Sequence, residues 1–134
     1  MKIAMDENKI LRILVLGAGI SQVCIGIAFI FLDEILNVLG YTSYNFIFPE
    51  MTGILMFGWG VILLNASRDI ENNVIVIVMA VLIHFFFIIP DIQNIIAFPE
   101  FAILFWDSLI IDPTWALLVS ILLLRNGYIT KKLK

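Results

Sequence analysis

Apolar residues run almost unbroken through four stretches of the chain, and polar residues collect between them. The stretches cover approximately residues 10–32, 49–66, 73–90 and 101–125. Each approaches or exceeds the roughly 20 apolar residues that an α-helix needs to cross a hydrocarbon core. The third, Val74 to Asp91, is the most apolar and holds the only histidine, His84, past its midpoint. It is predicted to close at Pro90-Asp91, with residues 92–98 as a short connection. Pro49-Glu50 suits the first turn of the second helix, where proline loses no hydrogen bond and a carboxylate faces the positive end of the dipole. The polar run 67–73 reads as a tight hairpin joining the second and third helices.

The fourth stretch leaves two alternatives. Asp112-Pro113 in its middle permits one helix kinked at the proline, or a short outer helix followed by a second, spanning one. Asp112 would cap that second piece. The kinked single helix is favoured.

Gly19 and Gly26 in the first stretch, and Gly53 and Gly60 in the second, are each seven residues apart and so share a helix face. Small residues in such stripes let helices approach closely in lipid, and packing is their predicted role.

Composition turns these helices into membrane helices. The chain has 134 residues, 62% hydrophobic and 14% charged, with a mean hydropathy of +1.07. Soluble domains run at about 45–50% apolar and about 25% charged, and a chain this short cannot hide such an excess in one core. The first stretch is long for a signal peptide, lacks an A-x-A site after it, and is kept as a helix of the mature protein. One cysteine, Cys24, excludes an internal disulfide, a CxxC redox pair and a cysteine-rich zinc site.

Charge supplies the orientation. The net charge of −3 gives no indication of nucleic-acid binding. With four spans, Lys2, Lys9, Arg12, Arg68, Arg125, Lys131, Lys132 and Lys134 fall on one side, and these are all the basic residues of the chain. The positive-inside rule makes that side cytoplasmic. The predicted architecture is therefore a single all-α domain over residues 1–134, an integral-membrane antiparallel four-helix bundle with both termini cytoplasmic.

Polar groups inside hydrocarbon are costly and are candidate sites by default. At ~1.5 Å per residue, Gln22 and His84 each lie ~18 Å from the cytoplasmic helix ends, and Asp112 of a continuous fourth helix lies ~20 Å from its own. Asp91 is seven residues beyond His84 on the same face, so a polar column is predicted to run outward from His84. Inward, the face continues through Ala80 and Ile77, which are apolar. An imidazole in such a place is either a hydrogen-bonding bridge within the helix bundle or a ligand or proton site. Asp112 is either the helix-capping residue of the Pro113 break or the partner of His84. Trp59 and Trp115 are packing residues or pocket walls. A single histidine without a second His or Cys nearby argues against a tightly bound metal or a bis-histidine haem, and no cofactor is expected. Phosphate loops and nucleophile elbows are absent from the sequence.

The run FLDEILNVLG (31–40), the proline-started helix with GILMFGWGVILL (53–64) and the SRD at 67–69 resemble the DoxX-like group of small four-helix membrane proteins. The resemblance covers about a third of the chain. It implies an antiparallel four-helix bundle and an accessory role beside a membrane complex, including quinone-linked ones, and transfers no functional residue.

The function expected from all this is non-enzymatic. It is the binding of a hydrophobic small molecule or lipid, or service as an accessory subunit, in a homo-oligomer or a membrane complex. His84, Gln22, Asp112 and Asp91 would provide polar contacts, and Trp59 and Trp115 the walls. A small proton-coupled transporter using His84 and Asp112 is the alternative.

Overall fold

The computed structural model describes residues 6–31, 34, 47–97, 99 and 102–129, with the side chains of 47–50, 94, 97 and 102–108 left aside. Its described elements are four long helices: α1 Glu7–Ile30, α2 Ile47–Arg68, α3 Val74–Ala97 and α4 Ala102–Arg125. No strand occurs among the described residues. Two segments, Glu7–Ile30 and Val74–Gln93, are long and apolar enough to cross a membrane.

The chain forms two compact units, residues 1–14 with 69–134, and residues 15–68. In the second unit, α1 from Val15 onward pairs with α2. A Cβ placed on Gly19 would lie 2.9 Å from the backbone nitrogen of Leu64, and one on Gly60 would lie 2.7 Å from that of Val23. A Cβ on Gly26 would meet the Phe57 nitrogen at 2.5 Å, and one on Gly53 the Ile30 nitrogen at 2.7 Å. The partners step backward along α2 as they step forward along α1, so the pair is antiparallel. Both glycine stripes face inward and the two backbones touch, as the seven-residue spacing predicted.

In the first unit, α3 packs against α4. Their shared core is Ile77, Ala80, Val81 and His84 on α3 with Ala116, Val119 and Leu123 on α4. Leu11 and Ile70 of the same unit are also buried. Three tethers tie the start of α1 to α4 and its tail. Glu7 pairs with Arg125, Tyr128 Oη donates to Asn8 Oδ1 at 3.1 Å, and Trp115 Nε1 donates to the Leu14 carbonyl at 2.9 Å.

The helix ends follow local chemistry. Asp6 caps α1, its side chain accepting from the Asn8 backbone N–H at 3.1 Å and its carbonyl accepting from Ile10. Asp69 organises the turn before α3. Its carboxylate accepts from the Asn72 side-chain amide at 2.7 Å, and its carbonyl from that of Asn73. Ile70 is buried in this otherwise polar turn. After α4, Gly127 takes a left-handed conformation (φ 69°) and its N–H reaches the Leu124 carbonyl.

Two sequence expectations change. The third helix does not close at Pro90-Asp91 but continues to Ala97, absorbing most of the supposed connection. An internal proline removes only one donor, and Ile92, Ile95 and Ile96 continue the apolar pattern beyond it. The fourth helix runs unbroken through Asp112-Pro113, so the two-piece alternative falls. Asp112 is a mid-helix residue and caps nothing. Most of the FLDEILNVLG segment lies outside the described residues.

Candidate functional site

His84 is 3% exposed and sits at the centre of the α3–α4 seam. Its Nδ1 lies 2.7 Å from the Ala80 carbonyl one turn earlier. A carbonyl only accepts, so Nδ1 carries the proton and donates, and Nε2 is the nitrogen left for another partner. The ring meets that of Trp115 on α4, with centroids 4.5 Å apart and planes tilted by 36°. Contacts of this kind contribute about 0.5–1.5 kcal/mol beyond the area they bury. Because the Trp115 indole is also bound to the Leu14 carbonyl, the wall against which His84 rests is fixed at both ends.

The hydrogen bond to Ala80 stays within α3 and takes up Nδ1 alone. A histidine bridging two helices through hydrogen bonds would use a partner on another helix. Here Nδ1 is satisfied within α3, and the contact to α4 is made by ring faces. Ser67 and Ser120 do the same, bonding back to Leu64 and Ala116 at 2.7 Å each. Such back-bonds satisfy polar side chains in apolar surroundings without a second helix.

Asp112 precedes Trp115 by nearly one turn and is half-buried. It lies within electrostatic reach of both His84 and Asp91. The antiparallel register set by the His84–Trp115 contact places Asp112 ~4.5 Å beyond the level of His84, and Asp91 ~10 Å beyond it. Ideal helix spacing thus puts His84, Asp112 and Asp91 at successive levels along α3 and α4. Toward the other end the seam is closed by Ala80, Ile77 and Val119, all fully buried.

Gln22 and Trp59 belong to the unit of residues 15–68. Gln22 is half-buried on α1, beside Val23 in the glycine seam, and Trp59 adjoins Gly60 on α2. The Trp59 indole N–H is buried with no hydrogen-bond partner among the described residues. An orphaned donor of this type costs about 1–3 kcal/mol.

Sequence reasoning did not anticipate the roles of Ala80 and Leu14. Both act through backbone carbonyls, which no residue pattern advertises. Among the described residues, no three His, Cys, Asp or Glu side chains converge as a metal site requires. What the arrangement offers is hydrogen bonding, charge and proton exchange beside an aromatic wall. Comparison of the chain with protein-family models, with curated proteins and with solved structures finds no match in any of the three.

Proposed function

We propose that the chain is a multi-pass membrane protein of four antiparallel spans with cytoplasmic termini. In this reading it binds a hydrophobic small molecule or lipid, on its own or as the accessory subunit of a membrane complex. The observation that carries the binding reading is His84: a buried imidazole with one nitrogen committed to Ala80 and the other left for a partner, beside Trp115 and Asp112. Apolar sites with a few convergent polar groups are the usual form of small-molecule pockets between helices. The lipid setting is supported by the exposed side chains of α3, among them Ile75, Met79, Leu82, Phe86 and Ile89. A core helix of a soluble protein would bury most of these. The resemblance to DoxX-like proteins supports the accessory role and its quinone-linked variant.

The test is mass spectrometry of the protein purified in mild detergent, unaltered and as His84→Leu. A hydrophobic species retained by the first and lost from the second is the expected result. Equal retention by both, or none by either, would remove His84 from the site. The same variant examines proton-coupled transport, which draws on the closeness of His84 and Asp112. Proton-driven uptake in proteoliposomes should disappear with His84→Leu if that reading holds. Ile77, Ala80 and Val119 offer it no polar step toward the cytoplasmic end.

A further inference from the structure

From residue 69 to residue 124 the chain contains Asp69, Glu71, Asp91, Glu100, Asp107 and Asp112, and not one lysine or arginine. The α3–α4 seam thus has no permanent cation of its own beside its acids. The basic end of its unit, at Lys9, Arg12 and Arg125, lies at the far ends of α1 and α4. Asp112 is half-buried there, and a carboxylate in apolar surroundings requires a counter-charge or a donor. Among the described residues, His84 is the seam's titratable base, and its only donor in the neutral ring is already given to Ala80.

The rest of the donor–acceptor inventory leans the same way. In its neutral form His84 offers Nε2 as an acceptor. Pro113 leaves the Leu109 carbonyl without its helical donor. Leu109 and Asp112 are three residues apart and therefore on one face of α4, the face that continues through buried Ala116. Trp115 uses its single N–H on Leu14 and presents ring surface alone. Among the described residues, the seam around Asp112 is rich in acceptors, poor in donors, aromatic on one side and closed by apolar residues at one end.

We propose that the seam between α3 and α4 takes a lipophilic amine in its protonated form, with the ammonium between Asp112, the Leu109 carbonyl and His84 Nε2 and the apolar portion along the helices. This assignment rests on the small-molecule reading given above and names the ligand class for it. An ammonium group brings both the donors and the charge that the seam lacks, and indole is the best aromatic surface for a cation. A neutral alcohol of the same shape brings a single donor, and an anion meets like charge.

The experiment is equilibrium dialysis of the protein in lipid nanodiscs against phenylbutylamine, phenylbutanol and phenylbutyrate, with empty nanodiscs subtracted. The amine is expected to bind about tenfold or more tightly than the alcohol, a difference typical of one charge-assisted contact, and the carboxylate not at all. Asp112→Asn should abolish the preference, leaving amine and alcohol equal, with helix content unchanged by circular dichroism. Equal binding of the amine and the alcohol by the unaltered protein would overturn the amine assignment while leaving the pocket in place. Binding of none of the three would overturn the pocket as well. Should Asp112→Asn fail to fold, the amine-against-alcohol comparison on the unaltered protein decides, and Asp112→Glu should retain the preference.

Discussion

Trp115 shows how one side chain performs two tasks in an apolar interior. Its ring supports His84 and its N–H joins α4 to the Leu14 carbonyl on α1. Trp115→Phe keeps an aromatic face and deletes the hydrogen bond. The expected loss is about 1 kcal/mol, in the range of a single hydrogen bond. It should register as a lowered midpoint in unfolding by a denaturing detergent, with the helix content of the folded protein preserved. Trp115→Leu, which also removes the ring contact, should cost about 1 kcal/mol more. If the two variants unfold together, the ring contact with His84 contributes nothing. The surface pair Glu7–Arg125 needs no comparable role, because Arg125 is largely exposed and such pairs contribute at most about 1 kcal/mol.

At the level of elements, the glycines divide into two sets that composition cannot separate. Gly26 and Gly53 are pressed against the backbone of the opposite helix, whereas a Cβ on Gly17 or Gly58 would meet nothing within 4 Å. Backbone cannot step aside as a side-chain tip does. Gly26→Ala and Gly53→Ala are therefore expected to destabilise by about 1–3 kcal/mol through overpacking. Gly17→Ala and Gly58→Ala should be neutral or slightly stabilising, since alanine favours helix by up to about 1 kcal/mol. Thermal unfolding of the four variants in one detergent checks the division, and uniform effects across them would contradict it. The stripe was readable beforehand because seven-residue spacing returns to one helix face. The helix limits were less readable. Proline at 90 looked like a terminus and proline at 113 like a possible break, yet both lie inside continuous helices. Each reads as a stop signal in the sequence; where apolar residues continue on both sides, the loss of one donor does not end the helix. His84 was identifiable as a polar residue at depth, but its commitment to Ala80 was not, because a back-bond within one helix leaves no mark in the spacing of residue types.

For the molecule as a whole, the distribution of basic residues makes the sharpest statement. They occupy the two ends of the chain, with Arg68 alone between, and none falls between residues 69 and 124. In the proposed topology this places every lysine and arginine in or beside the cytoplasm. Single cysteines introduced on a Cys24→Ser background test it with a membrane-impermeant thiol reagent on intact cells. Gln93→Cys should be labelled from outside. Lys9→Cys and Asn72→Cys should react only after the membrane is opened. Labelling of Asn72→Cys on intact cells would invert or dismantle the proposed arrangement.

The solitary state of His84 has a spectroscopic consequence. With one histidine in 134 residues, a sample carrying heavy nitrogen in histidine alone yields a single imidazole spin system. Nδ1, protonated and hydrogen-bonded, and Nε2, with its lone pair, resonate far apart in the neutral ring and converge on protonation. The tautomer, the charge state and the arrival of a partner at Nε2 become three readings of one pair of lines, obtained without resonance assignment and without altering a residue.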